Sequence, residues 1–268
     1  MNLVEAVDYV VDFAGLHPEL RFVINVSVKI TDTLAVRDAV KRCHAAGIVL
    51  CMAAGNDGAP VSGAAALSEV IAVGAVGPDG IRMRGKSCAG SFSSSNFGPE
   101  LDFVAPGILL VTTDKRGPGG FTSDDYNPGF TGTSGASPVV AGVVALLLSV
   151  DPDLTPDRIY EILKSTAVDG TGASDEDTPG FDPFMGWGRI DAGRALALAA
   201  GLEPRRGDAD CDGKAELDDA IFLIGYLFQG KSAPTCPAAA DVNGDGRLNI
   251  ADPIYLVEWL FRSGPPPP

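Results

Sequence analysis

The sequence predicts an α/β domain built on a parallel sheet, followed by a small all-α unit. Three observations carry that expectation. Short Val/Ile/Ala-rich runs alternate with helical patterns through the first 200 residues, the composition changes near Gly201, and residues 208–262 repeat internally with a period of 33. Continuous apolar runs suit strands buried on both faces, which a parallel sheet covered by helices requires.

The elements follow in order. Leu3, Val7, Val10, Val11 and Ala14 give residues 1–15 an apolar helical stripe. Phe22–Val28, Ile48–Ala54 and Val70–Val76 read as buried strands between polar or glycine-rich turns. Between the first two runs, Thr33–Ala46 has helical periodicity, with Val36, Ala39, Val40 and Cys43 on one face and Arg37, Lys41 and His44 opposite. Gly132–Pro138 leads into Val139–Val150, a long apolar helix pattern. The expected boundaries are 1–200 for the large domain, 201–207 for a linker (Gly-Leu-Glu-Pro-Arg-Arg-Gly), 208–262 for the repeat and 263–268 for a proline-rich tail.

Composition excludes several classes. With 46% hydrophobic residues the chain can bury a core, which rules out wholesale disorder. Twenty basic against 35 acidic residues leave a net charge of −15, so a nucleic-acid binder is not expected. The longest apolar run, Val139–Leu148, falls short of the ~18 residues of a membrane span. Met1-Asn2-Leu3-Val4-Glu5 shows neither the basic nor the apolar region of a secretory signal. Of five cysteines, Cys43, Cys51 and Cys88 read as free thiols, whereas Cys211 and Cys236 could pair in an exported protein.

The repeat carries metal-binding chemistry. Asp208, Asp210, Asp212, Glu216 and Asp219 stand at positions 1, 3, 5, 9 and 12 of one loop, with glycine at position 6. Asp241, Asn243, Asp245, Asn249 and Asp252 stand at the same positions of a second. Calcium is a hard cation that takes six to eight oxygens, and the position-6 glycine permits the turn that gathers them. The carbonyls of Lys214 and Arg247 would supply position 7, so two calcium ions are expected. The following segments, Ile221–Phe228 and Ile254–Phe261, are apolar helices, and the Pro-rich stretches before each loop argue against full entering helices.

In the large part, Ser134 sits in Gly132-Thr-Ser-Gly-Ala-Ser-Pro138 at the head of the apolar helix. Free N–H groups and the helix dipole stabilise negative charge there, which suits a nucleophile and the oxyanion it creates. Ile48–Gly58 is a buried strand that ends in a glycine turn presenting Asn56, whose side-chain amide could complete an oxyanion hole. A nucleophilic serine also needs a base and an orienting carboxylate.

Loop-then-helix, twice, without entering helices, resembles the dockerin type I module. The resemblance implies a calcium-folded unit that binds a cohesin-type partner. Where that family carries small hydroxyl residues at loop positions 10 and 11, this chain has Leu217-Asp218 and Ile250-Ala251. Phe22–Ser27, Ser91–Gly107, Gly132–Pro138 and Gly186–Ala192 together resemble consecutive blocks of the subtilisin-like serine peptidases, the subtilases. That resemblance implies peptide-bond hydrolysis through a Ser134 acyl-enzyme, with Asn56 and the Ser134 N–H as oxyanion hole. It further implies that Ser27, Val28 and Lys29 pair with polypeptide substrate as an edge strand, while Ala53, Ala54 and Gly55 wall the primary specificity pocket. Lys29 and Gly135 depart from the family's small residue and methionine at those places. An extracellular or cell-surface location follows from the same resemblance.

The family carries its Asp and His upstream of the strand that here begins at Phe22, the His in an H-G-T-H-type motif. This chain has no such motif, and its only histidines, His17 and His44, read as turn and solvent-facing residues. The sequence is therefore expected to begin partway through the catalytic domain and to be inactive alone. The alternative is a non-catalytic, calcium-dependent binding protein on a degenerate peptidase scaffold.

Overall fold

The computed structural model describes residues 2–85, 93–117, 119–123, 125–201, 206–210, 213–234 and 237–267. Cys88, Asp212 and the pair Cys211 and Cys236 lie outside them. The chain divides into two compact units, Met1–Ala199 and Ala200–Pro268.

In the first unit, a four-stranded parallel sheet has the order β1 (Val23–Val26), β2 (Val49–Ala53), β3 (Ile71–Val76) and β4 (Phe103–Pro106). Every residue of β2 and β3 is buried, because helices pack on both faces. On one face lie α1 (Leu3–Leu16) and α2 (Leu34–Ala45), whose Val7, Val36, Ala39, Val40 and Cys43 meet Leu50 and Met52 from the sheet. Both helices begin at side-chain caps: Asn2 accepts from the Glu5 N–H and Thr33 from the Val36 N–H. On the other face α3 (Thr133–Val150) sets Val140, Val144 and Leu147 against Cys51, Val73 and Phe103. α4 (Pro156–Thr166) and α5 (Ala192–Ala199) complete that layer with Ile159, Ile162 and Ala195. An antiparallel pair, β5 (Leu110–Thr113) and β6 (Tyr126–Phe130), stands apart from the main sheet.

α3 is a single uncharged 18-residue helix that begins at Thr133, six residues before the Val139–Val150 pattern, and ends with it at Val150. By length and composition it could cross a membrane, but half of its residues are buried in the α/β core, where such a helix is expected to be apolar all round.

The second unit follows the 33-residue repeat closely. α6 (Leu217–Gln229) and α8 (Ala251–Arg262) pack on each other, with a one-turn α7 (Pro237–Ala240) before the second loop. Repeat partners fill equivalent core places: Ala209 with Val242, and Leu223 with Leu256, each fully buried. Both long helices end at a left-handed residue, Gly230 and Ser263, again 33 apart.

Candidate functional site

Two segments at the C-terminal ends of β1 and β2 converge on the head of α3. Ser27, Val28 and Lys29 follow β1; Ala53 ends β2 and Ala54–Asp57 follow it. With Ser134, Thr133, Met52 and Ala65 they line one cavity of about 180 Å³. The structure thus brings together Ser134, Asn56, Ser27, Val28, Lys29, Ala53, Ala54 and Gly55. The 27–29 segment leaves the sheet rather than extending it as a strand: β1 ends at Val26, and the chain turns so that the Ile30 carbonyl accepts from the Ala64 N–H at 2.9 Å.

Asn56 is oriented by α3 itself. Its Oδ1 accepts from the Thr133 N–H at 2.9 Å and from the Thr133 hydroxyl at 3.0 Å. With the carbonyl side spoken for, the amide nitrogen is the end left to donate, and it lies beside Gly132 at the helix start. Gly132 has φ +145°, and a Cβ there would stand 3.3 Å from Asn56 Nδ2. Asn96, 2% exposed, fixes the turn from inside: its Nδ2 donates to the Ala54 carbonyl and its Oδ1 accepts from the Asp57 and Ala59 N–H groups.

Ser134 is held by a reciprocal exchange. Its hydroxyl donates to the Ser27 carbonyl at 3.1 Å, while the Ser27 hydroxyl donates to the Ser134 carbonyl at 2.9 Å. The second bond exists because Pro138 stands four residues on, inside the helix. Proline has no N–H, so the Ser134 carbonyl loses its helical donor and the Ser27 hydroxyl takes that place. The network continues: Asn25 Nδ2 donates to Ser27 Oγ at 2.9 Å, and the buried Ser137 hydroxyl donates to Asn25 Oδ1 at 2.6 Å. Sequence reading missed Asn25, Asn96, Thr133 and Ser137. Only Asn25, polar inside the apolar run Phe22–Val26, left a visible signal.

Neither histidine lines this cavity. His17 caps α1, packs on Phe13 and meets Glu19 at 3.2 Å. His44 contacts Asp157 of α4 at 3.0 Å and is partly covered rather than fully solvent-facing. It borders a separate cavity of about 560 Å³ beside the N-terminal ends of β2 and β3, with Asp102 and Tyr160. There the Tyr160 hydroxyl and the Ala72 N–H donate to Asp102, yet burial outweighs both and pushes its carboxyl up to about 6.

In the second unit the two loops are wired alike. Asp219 accepts from the N–H groups of Ala209, Asp210 and Glu216; Asp252 accepts from those of Val242, Asn243 and Asn249. Every pair is separated by 33 residues. Gly213 and Gly246, at position 6, both take positive φ, +96° and +77°. In the first loop Asp208, Asp210 and Asp219 place carboxylate oxygens within 4.8 Å of one another, two of the three side chains being buried. Burial first, then the Asp210 charge, raises the Asp219 carboxyl against the pull of its backbone donors. Gathering like charges in this way fits a hard divalent cation. In the second loop Asp241 accepts from the Asp245 and Gly246 N–H groups, and Asp245 from that of Arg247.

Comparison with known proteins agrees with both halves. Residues 2–188 match the subtilase family, and residues 206–256 match the dockerin type I domain. The halolysin-like extracellular serine protease Nep of Natrialba magadii is 38% identical over 163 residues, 60% of this chain and 25% of that protein. A calcium-dependent protease of Nostoc is 36% identical over 59% of this chain and 26% of its own length. Subtilisin DY of Bacillus licheniformis is 38% identical over 50% of this chain and 44% of its own. The chain therefore spans a quarter to under half of these relatives. A solved protease structure from Pseudoalteromonas arctica superposes with a TM-score of 0.52 at 29% identity, covering 66% of this chain and 51% of that one. The parallel sheet, the helix-headed serine and the duplicated acidic loops agree with these matches: the chain belongs to the subtilase family and carries a C-terminal dockerin type I domain.

Proposed function

We propose that the chain supplies the nucleophile and anion-binding group of a subtilisin-type serine endopeptidase, and that its second unit attaches it through calcium to a cohesin-type partner. The convergence of Ser134, Asn56 and both pocket walls on one cavity carries the reading. With a base to take its proton, Ser134 Oγ attacks the scissile carbonyl carbon, and the oxygen of the tetrahedral intermediate takes hydrogen bonds from Asn56 Nδ2 and the Ser134 N–H. Collapse, with that proton passed to the leaving nitrogen, expels the amine and leaves an acyl-enzyme, which water hydrolyses. Extended polypeptide lies along Ser27–Lys29, and one side chain enters between that segment and Ala53–Gly55.

The proton of Ser134 Oγ points at a backbone carbonyl, which cannot accept it as a base. The chain by itself therefore does not turn substrate over at a useful rate. A fluorophosphonate single-turnover assay tests this: the expected result is slow, base-limited labelling of Ser134. Rapid labelling of the unassisted chain would refute it. That neither histidine lines the cavity also favours a second reading, a calcium-dependent binding protein on a peptidase scaffold. Peptide binding with no Ser134 acylation under any condition would select it.

In the calcium unit, Asp208, Asp210, Asp212, Glu216 and Asp219 with the Lys214 carbonyl would hold one ion. Asp241, Asn243, Asp245, Asn249 and Asp252 with the Arg247 carbonyl would hold a second. Calcium supplies the charge that balances the gathered carboxylates and fixes the loops. An extracellular or cell-surface location accords with the extracellular relative and the dockerin domain.

A further inference from the structure

The two walls of the Ser134 cavity are joined by one ion pair. Lys29 Nζ, from the segment after β1, meets Asp57 Oδ2, from the turn after β2, at 3.2 Å. Both side chains line the cavity and both are more than half exposed, at 68% and 56%, so the pair lies at its solvent end. The other end is apolar and buried, with Met52, Ala54 and Ala65 at 0%, 4% and 6% exposure. Asp57 is backed by a fixed main chain, since its N–H donates to Asn96 Oδ1 at 2.9 Å.

Resting on the proposed substrate pocket, we propose that Lys29 and Asp57 form a charge clasp that makes the pocket select uncharged side chains. Paired, they present no net charge to an incoming residue. A substrate carboxylate would have to take Lys29 from Asp57, and a substrate cation would have to take Asp57 from Lys29. Each member alone carries an opposite, latent preference: Asp57 for basic side chains, Lys29 for acidic ones. Because the pair is exposed, each preference is worth a few-fold in affinity rather than orders of magnitude, and salt screens it.

The test needs no catalytic base. The full chain is titrated with acetyl-Ala-Ala-Ala-X peptides bearing a free C-terminal carboxylate, where X is Leu, Arg or Glu. Wild type should bind the Leu peptide about two- to five-fold tighter than the Arg and Glu peptides. Measured relative to the Leu peptide with the same variant, Lys29→Ala should shift preference toward the Arg peptide and Asp57→Ala toward the Glu peptide, and 1 M NaCl should erase both shifts. Leu-peptide binding that persists while neither variant changes charge preference would overturn the clasp and leave the pocket standing. Failure of wild type to bind any of the peptides would overturn the pocket reading itself.

Discussion

Asp102 makes the stability of the first unit depend on pH in an unusual direction. Its folded carboxyl sits at about 6 against an ordinary 3.8, because burial costs the charged form more than the Ala72 and Tyr160 donors return. An acid with a raised folded pKa holds its proton more tightly when folded. Stability is then greatest below about pH 4, falls as pH rises toward about 6, and is flat beyond. Roughly two units at ~1.36 kcal/mol each give ~3 kcal/mol, a ceiling because the carboxylate borders a solvent-sized cavity. Asn at this place keeps an oxygen for the Ala72 N–H and turns an amide donor toward Tyr160, without a titrating group. Trp187 reports locally, since its Nε1 donates to the Tyr160 hydroxyl at 3.1 Å. Urea unfolding followed by Trp187 fluorescence, in a Trp259→Phe background between pH 4 and pH 8, should show Asp102→Asn gaining on the parent by up to ~3 kcal/mol as pH rises. A difference that is constant with pH, or that shrinks toward pH 7, would refute the reasoning.

Further expectations concern packing, backbone and metal. Leu147→Ala, at a fully buried place against the sheet, should cost about 2–5 kcal/mol in denaturant unfolding. Gly186→Ala should cost at least ~2 kcal/mol, because φ is +63° and the new Cβ would lie 2.3 Å from the Asp102 carbonyl oxygen; full stability in the same assay would contradict that geometry. Chelation of the full chain should lower far-UV helix content and expose the amides of residues 208–262 to hydrogen exchange, and calcium should restore both. The first loop, with five acidic side chains against three in the second, should load first in a calcium titration followed by NMR.

Much of the fold was legible because burial leaves a pattern. β1, β2 and β3 stood out as continuous apolar runs, and α2 as a stripe of Val36, Ala39, Val40 and Cys43. β5 and β6 did not: both are short and half-exposed, and β6 contains Pro128 and Gly129, which weaken any strand signal. α4 was passed over although Thr155-Pro156-Asp157 is a helix-start signal, with Thr155 accepting from the Arg158 N–H. In the site, Ser134 and Asn56 were readable because the roles proposed for them, nucleophile and oxyanion donor, point to particular turns, and both line one cavity. The residues that position them were not, because Asn25 meets Ser137 across 112 residues and Asn96 meets Ala54 across 42. Such pairings are made by the sheet and leave no local spacing.

Chemical rescue asks most directly whether Ser134 and Asn56 form a peptidase centre that lacks only its base. With an activated peptide ester, imidazole should accelerate single-turnover acylation of Ser134 well above the solution rate. Ser134→Ala should abolish that gain and Asn56→Ala should cut it by about 10²–10³, the scale of one oxyanion-hole donor in such enzymes. Imidazole-dependent acylation that ignores both substitutions, or lands on another residue, would contradict the assignment.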